Sequence, residues 1–333
     1  MIEGTPCPLL HGQGNFGSYT NSAPAAAARY TEVKLNKVSE SLLLDPYYLK
    51  VVPLVVNYDG QEMEPAYLPS KLPFVLALAQ QGIAVGITVK MPSYTLKSLR
   101  DVVVAILKGE DNTKKLSKMM EFSSAYGGKV VSDDKDQHVV FTNSMSKLTW
   151  TCHYTIIDDS KMIITGLHPE WNYDNKWPKI KLMPEVASAN DLSTEDIKLE
   201  ITVKKSADVE ATFDKLEKLC VGDITYKCNV MSRSVDMEKE IPEVASKFYS
   251  LSPYKILLHW IKWRLLLEKL ALRQEMKELK SELVRERLLL LACQSLDVIF
   301  SLLKKRNIDK VAQLAKELDI SIEDAKYIWS IAV

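Results

Sequence analysis

Cysteine and histidine are scarce, with five of each among 333 residues. Cys7, Cys152, Cys220, Cys228 and Cys293 are scattered, odd in number and form no Cys-x-x-Cys. That excludes a disulfide framework and predicts free thiols in a reducing compartment. The histidines are isolated and give no metal-ligand spacing, so His168, in a loop, and His259, on a helix, read as structural. No Gly-x-x-x-x-Gly-Lys-Ser/Thr phosphate loop is present, and nucleotide triphosphate binding is not expected of this chain. The densest acidic run, Asp133-Asp134-Lys135-Asp136, reads as a turn rather than a metal site. Long apolar runs are also missing. The most apolar stretch, Leu288–Leu303, is too short and too close to charges to span a bilayer, and with no signal peptide visible the expectation is cytoplasmic. Finally, there is no net charge, because 43 basic residues balance 43 acidic ones. A chain coated along its length by nucleic acid is thereby disfavoured, while a local basic groove stays open.

What is present suits a multidomain α+β protein. The length allows two or three cores, and the apolar fraction of 47% is ordinary for a globular chain. Ala25–Leu44 is helical by composition, with Val33, Leu35, Val38, Leu42 and Leu43 on its buried face; Asp45-Pro46 ends it. Val51–Tyr58 reads as extended, Asp59-Gly60 as a turn and Leu96–Leu107 as a helix. From about Glu121, β-type runs follow at Val130–Val131, His138–Thr142, Leu148–Ile157, Met162–Thr165, Ile197–Lys204 and Ile224–Val230, with a helix at Val209–Leu219. Pro253 opens a long helix predicted to reach about Lys305. Leu265, Leu272 and Leu279 repeat every seven residues, as do Met276, Leu283 and Leu290, which fits a two-helix seam. The lysines and arginines from Lys262 to Arg287 alternate with glutamates. Such a pattern reads first as a solvated face, with contact to nucleic acid as the second reading. Two short helices, Ile308–Leu318 and Ile322–Ile331, close the chain, the second capped by Ser321 with Asp324 three residues on.

The most informative segment lies near the start. Gly12-Gln13-Gly14-Asn15-Phe16-Gly17-Ser18 precedes an alanine run that ends in Arg29-Tyr30. Phenols ionise near ~10 and are weak nucleophiles at neutral pH. A neighbouring guanidinium favours the phenolate and can hydrogen-bond two phosphate oxygens at once. The dipeptide alone is a weak signal, since most such tyrosines are half-buried packing residues.

Together with the glycine-rich turn, however, the segment resembles the active site of type IIA DNA topoisomerases. The likeness is to their breakage-reunion subunit. It covers the A subunits of gyrase and topoisomerase IV and, in its shortened form, the medium subunit of T-even bacteriophage enzymes. Asn57-Tyr58-Asp59-Gly60, Leu68-Pro69-Ser70-Lys71-Leu72-Pro73 and Gln81-Gly82-Ile83-Ala84-Val85-Gly86 follow in the family's order and near its spacing. The resemblance implies a partial winged-helix DNA-gate region over 1–120 and an α/β tower domain over 121–250, for which an insert without DNA contact is the alternative. Over 251–333 it implies a coiled-coil arm leading to a partial helical exit gate. It implies Tyr30 as nucleophile and Arg29 as stabiliser of the transferring phosphate. Ile83 would be a wedge between base pairs, with an ordinary tight-turn core residue as the alternative. Gly82 and Gly86 would admit DNA close to the backbone, and Lys34 and Lys71 would contact phosphates. The turn containing Gln13 and Asn15 would position the helix carrying Tyr30 through its amides.

The implied partners are double-stranded DNA, a second copy of the chain and a large ATPase/Toprim subunit. Mg²⁺ and ATP would be held by that large subunit. Relatives have further segments ahead of the glycine-rich block and beyond the exit-gate helices, so separate chains are expected to supply them. The alternative is a decayed or purely scaffolding fragment. His11 stands where relatives usually have Asp, and Tyr94 where the gyrase subunit has His. Lacking a DNA-wrapping domain, the enzyme is expected to relax and decatenate rather than supercoil. A tyrosine recombinase is disfavoured, because the spaced Arg and His residues around a C-terminal tyrosine are missing.

Overall fold

Short antiparallel hairpins, rather than one long helix, carry much of the first ninety residues. The computed structural model describes residues 9–17, 24–194, 196–236, 243–305 and 309–332. Cys7, Ser18 and Ile308 therefore lie outside the described residues. The chain forms two compact units, residues 1–267 and 268–333.

In the first unit, Leu10–Gln13 pairs with Glu32–Leu35, Leu10 facing Leu35 and Gln13 facing Glu32. The helix expected over Ala25–Leu44 is thus confined to a 3-10 turn, Ala28–Tyr30, and a short helix, Lys37–Leu43. Local chemistry explains the division. Asn36 is extended and its side chain accepts the Val38 N–H at 3.0 Å, so a fresh helix starts there. Pairing with the upstream strand outweighs the helical preference of the alanine run. Of the predicted buried face, Leu42 and Leu43 do pack against the core, whereas Val33, Leu35 and Val38 are exposed.

Asp45 caps the next turn, Pro46–Leu49, with proline at its first position. The extended stretch then shrinks to Leu54–Val56, paired with Met63–Pro65. Asn57 and Asp59 side chains accept backbone N–H groups in the intervening turn, where Gly60 takes φ +74°. Leu96–Leu107 is a helix as predicted, with the Thr95 hydroxyl capping Ser98 N–H. One face of it buries Leu99 and Val102 with Leu76, Tyr94, Leu116, Phe141 and Leu257. Each such large apolar side chain contributes about 1.5–3 kcal/mol of burial.

Two antiparallel sheets follow. The five-stranded one runs Gln81–Ala84, Ile87–Lys90, Val221–Lys227, Met145–Thr151, Lys129–Val130 in spatial order. It therefore joins strands from both sides of residue 120. The four-stranded one runs Val186–Asp191, Leu199–Val203, Lys161–Gly166, His153–Asp158. Its core gathers Ile164, Leu199 and Ile201 with Trp171, Trp177 and, from the helix Val209–Cys220, Leu216. The expected single run Leu148–Ile157 is two strands in different sheets, parted at the buried Cys152.

His138–Thr142, read as a strand, belongs instead to the helix Asp134–Thr142. The acidic run is its start: Asp133 Oδ1 accepts the Asp136 N–H at 2.8 Å, and Asp134 and Asp136 sit in the first turn. Negative charge at that end suits the helix dipole, and the cap offsets the β preference of Val139 and Val140. A further helix, Tyr173–Lys181, tolerates Pro178 and buries Trp177 and Ile180.

Cys152, Cys220, Cys228 and Cys293 are free thiols. His168 is buried in a loop with Nε2 3.4 Å from Lys176 Nζ. Burial, and then the Lys176 charge, push its pKa down to about 4. A neutral, packed histidine matches the structural reading.

The long helix is Pro253–Gln294, 42 residues or about 63 Å. It stops short of the predicted Lys305 because Ser295 leaves helical geometry at φ −112°, ψ 25°. A second helix, Leu296–Lys304, then turns Ile299 and Leu302 into a small core with Leu288, Ala292, Leu314, Ala315, Ala325 and Ile328. That core is completed by Lys310–Leu318 and Ile322–Ala332. Ser321 Oγ accepts the Asp324 N–H at 3.0 Å and donates to its carboxylate at 2.7 Å, as the capping pattern predicted. Both heptad rows of the long helix remain about half exposed along their length.

Candidate nucleic-acid interface

Tyr30 is the last residue of the 3-10 turn, its N–H bonded to Ala27 O at 2.8 Å. The turn closes through Thr31, whose N–H and Oγ1 both reach Ala28 O at 3.2 Å. The side chain is not a packing residue: 66% of Tyr30 is exposed. The exposed Arg29 guanidinium carbon lies 4.8 Å from the Tyr30 ring centroid. A fixed positive charge therefore stands against the aromatic face, a favourable contact in itself and a stabiliser of negative charge built up near the phenol.

The glycine-rich block holds this turn by its backbone. Gln13 pairs across to Glu32, and Asn15 O accepts the Ala26 N–H at 2.9 Å. The Asn15 amide is spent locally, accepting the Gly17 N–H at 2.8 Å. What the main-chain pairing braces is a 3-10 turn rather than the expected helix. Lys34 is exposed on the same hairpin, opposite His11.

Lys71 is tied down. Its ammonium is 2.5 Å from Asp45 Oδ2 and 5.6 Å from the Tyr48 ring centroid. Its backbone N–H is bonded to Leu42 O at 3.0 Å. The Lys71 hydrogen bond, and then the Tyr47 N–H, hold the Asp45 carboxyl below the usual carboxylate range. A phosphate reaching Lys71 must therefore compete with Asp45, a partner that motif reading alone missed.

Gly82 and Ile83 belong to a different hairpin, in which Ile83 faces Thr88 and Val85-Gly86 forms the two-residue turn. Gly86 has φ +79°, which accounts for a glycine there, and no atom lies within 4 Å of a Cβ built on either Gly82 or Gly86. Ile83 is 83% exposed and Val85 wholly so. The tight-turn core alternative for Ile83 is thereby removed. Arg29, Tyr30, Lys34, Gln13 and Asn15 share one hairpin assembly; Lys71 joins the adjoining short helices, and Ile83 stands on the five-stranded sheet. Among the described residues no three His, Cys, Asp or Glu side chains gather to hold a metal ion. Nor is any helix of the described residues long and apolar enough to cross a membrane.

The sequence that carries this arrangement matches a known family. Residues 4–333 match the family described as the A subunit of DNA gyrase/topoisomerase IV, and the chain belongs to that family. Among its relatives is the chloroplastic/mitochondrial DNA gyrase A subunit of Arabidopsis thaliana, 40% identical over 119 residues, or 36% of this chain and 12% of the relative. That of Campylobacter jejuni is 43% identical over 115 residues, 34% of this chain and 13% of the relative. The DNA gyrase A subunit of Chlamydia muridarum is 24% identical over 326 residues, 93% of this chain and 38% of the relative. The chain thus spans well under half the length of these relatives.

Proposed function

We propose that this chain is the DNA-cleaving and rejoining subunit of a type IIA topoisomerase, with Tyr30 as nucleophile. The observation that carries the reading is the exposed Tyr30 phenol with Arg29 against its ring, in a chain of the gyrase A family. Tyr30 Oη bonds to a backbone phosphorus as the bond from phosphorus to the 3′ oxygen breaks. The phenolic proton passes to solvent and the departing 3′ oxygen takes one up. The product is a 5′-phosphotyrosyl link, and attack by the 3′ hydroxyl reverses the step. Arg29 meets the charge that builds on the phosphoryl oxygens. Two copies of the chain cut one strand each, and a second duplex passes through the break.

Ile83 fits the role of a wedge because an exposed apolar side chain on a hairpin can enter between base pairs. Lys34 supplies an exposed ammonium for a phosphate, and Lys71 a second once Asp45 is displaced. Residues 1–120 serve as the DNA-gate region, 121–250 as the tower and 251–333 as the arm and exit gate. The half-exposed heptad rows suit a returning helix. Mg²⁺ neutralises phosphate charge when bound, and we place it and ATP on the partner ATPase/Toprim subunit, since no residue of this chain is assigned to either. The likeness to the medium subunit of T-even bacteriophage enzymes belongs to the same reading.

The test combines the chain with its large subunit, the proteins encoded beside it, Mg²⁺ and end-labelled duplex, then quenches with denaturant. A labelled band attached to this chain in the wild type and missing in Tyr30→Phe supports the proposal. No covalent band despite assembly and DNA binding refutes it in favour of a scaffold.

A further inference from the structure

Gly14 directly follows the strand Leu10–Gln13 that braces the tyrosine turn, at φ +104°. A Cβ built on it would lie 2.6 Å from the Tyr30 carbonyl oxygen and 3.3 Å from both Cα and Cγ2 of Thr31. All three neighbours belong to the exit of the turn, and the nearest is backbone of the residue proposed to attack DNA. Contrast Gly60 and Gly86, also at positive φ, where a Cβ meets nothing within 4 Å. Those two positions ask only for conformational freedom. Gly14 asks for that and for an empty volume against Tyr30.

The clash has few ways to relax. On one side Gln13 is paired with Glu32; on the other Asn15 O holds the Ala26 N–H at 2.9 Å. Moving Gly14 outward breaks one of these ties, so the yielding partner is the Tyr30-Thr31 backbone. A shift of several tenths of an ångström there is carried to the phenol oxygen at the end of the side chain.

We infer that Gly14 is a positioning residue for Tyr30: its bare Cα seats the tyrosine carbonyl and so sets where the phenol stands when it attacks. The inference rests on the proposed function above. An ångström of misplacement at an attacking atom costs up to about 100-fold in rate.

The experiment measures rate and extent separately. The full chain, assembled with its partner subunits, Mg²⁺ and end-labelled duplex, is followed as it approaches the cleavage equilibrium. In Gly14→Ala the approach slows about 10- to 100-fold, while DNA affinity stays within about threefold, and the final cleaved fraction is retained because resealing slows equally. Gly14→Asn eases the conformational constraint relative to alanine while keeping the contact. Asparagine tolerates positive φ better than alanine does, though φ +104° strains it as well, and it carries a Cβ, so it too is slow. Gly60→Ala, strained without a contact, cleaves at the wild-type rate.

A wild-type rate in Gly14→Asn would overturn the role of the contact. A reduced extent at unchanged rate in Gly14→Ala would reveal a loss of folded protein and overturn positioning. Should the wild type itself form no covalent product, the function proposed above falls, and this inference falls with it.

Discussion

The ammonium of Lys71 and the carboxylate of Asp45 meet at 2.5 Å, joining the segment before the Phe74–Ala77 helix to the cap of the Pro46–Leu49 turn. Asp45 serves twice, since its other oxygen accepts the Tyr47 N–H at 2.9 Å. The pair thus fixes a lysine of the proposed DNA surface and caps a turn with the same side chain.

Replacing Asp45 by Asn keeps the cap and releases the lysine. The lost pair is partly exposed, so the stability cost is about 1 kcal/mol or less. Lys71 becomes available to a phosphate, so DNA binding tightens and its salt dependence steepens by about one ion released. Salt titrations of DNA affinity for Asp45→Asn and Lys71→Ala check this; unchanged slopes in both would remove Lys71 from the interface. The pH sign follows from the carboxyl being held low in the fold. The pair's contribution is present above the unfolded value of about 3.9 and is lost as pH falls through the lower, folded one.

Arg29→Ala should leave DNA affinity nearly intact and slow single-turnover cleavage by about 100- to 1,000-fold, the scale for losing one preorganised stabiliser of transition-state charge. Arg29→Lys should fall between, keeping charge but losing the planar fork. Cleavage unaffected by either change would contradict the role given to Arg29.

Ile83→Ala should shift unfolding by no more than about 0.5 kcal/mol, because the side chain is already in solvent. Its effect should be on DNA shape: energy transfer between dyes at the duplex ends reports a smaller bend. A large loss of stability with unchanged bending would return Ile83 to a structural role.

Features that a few adjacent residues decide were legible in the sequence. Leu96–Leu107 forms as the helix its residues indicate, and Ser321 with Asp324 is a cap complete within one turn; both stand as read. Arg29 and Tyr30 are neighbours, so their pairing needs no tertiary information. The errors have separate causes, one of them local. The alanine run before Tyr30 favours a helix locally, but a partner strand at Leu10–Gln13 claims Glu32–Leu35. Asp133 was visible as a polar turn residue, yet the same chemistry makes a cap, and it carries His138–Thr142 into a helix. The break at Ser295 lies inside the apolar run Leu288–Leu303, where no glycine or proline marks it. Asp45 beneath Lys71 and Gly14 beneath Tyr30 are meetings of separate segments, and no local pattern announces them.

The most direct measurement traps the cleavage complex with denaturant, digests the DNA and the protein, and weighs the peptides. The account predicts a residual nucleotide on a short peptide containing Tyr30, bracketed by Arg29 and Lys34, and its absence in Tyr30→Phe. A nucleotide on any other tyrosine of this chain, or an adduct that persists in Tyr30→Phe, would contradict it.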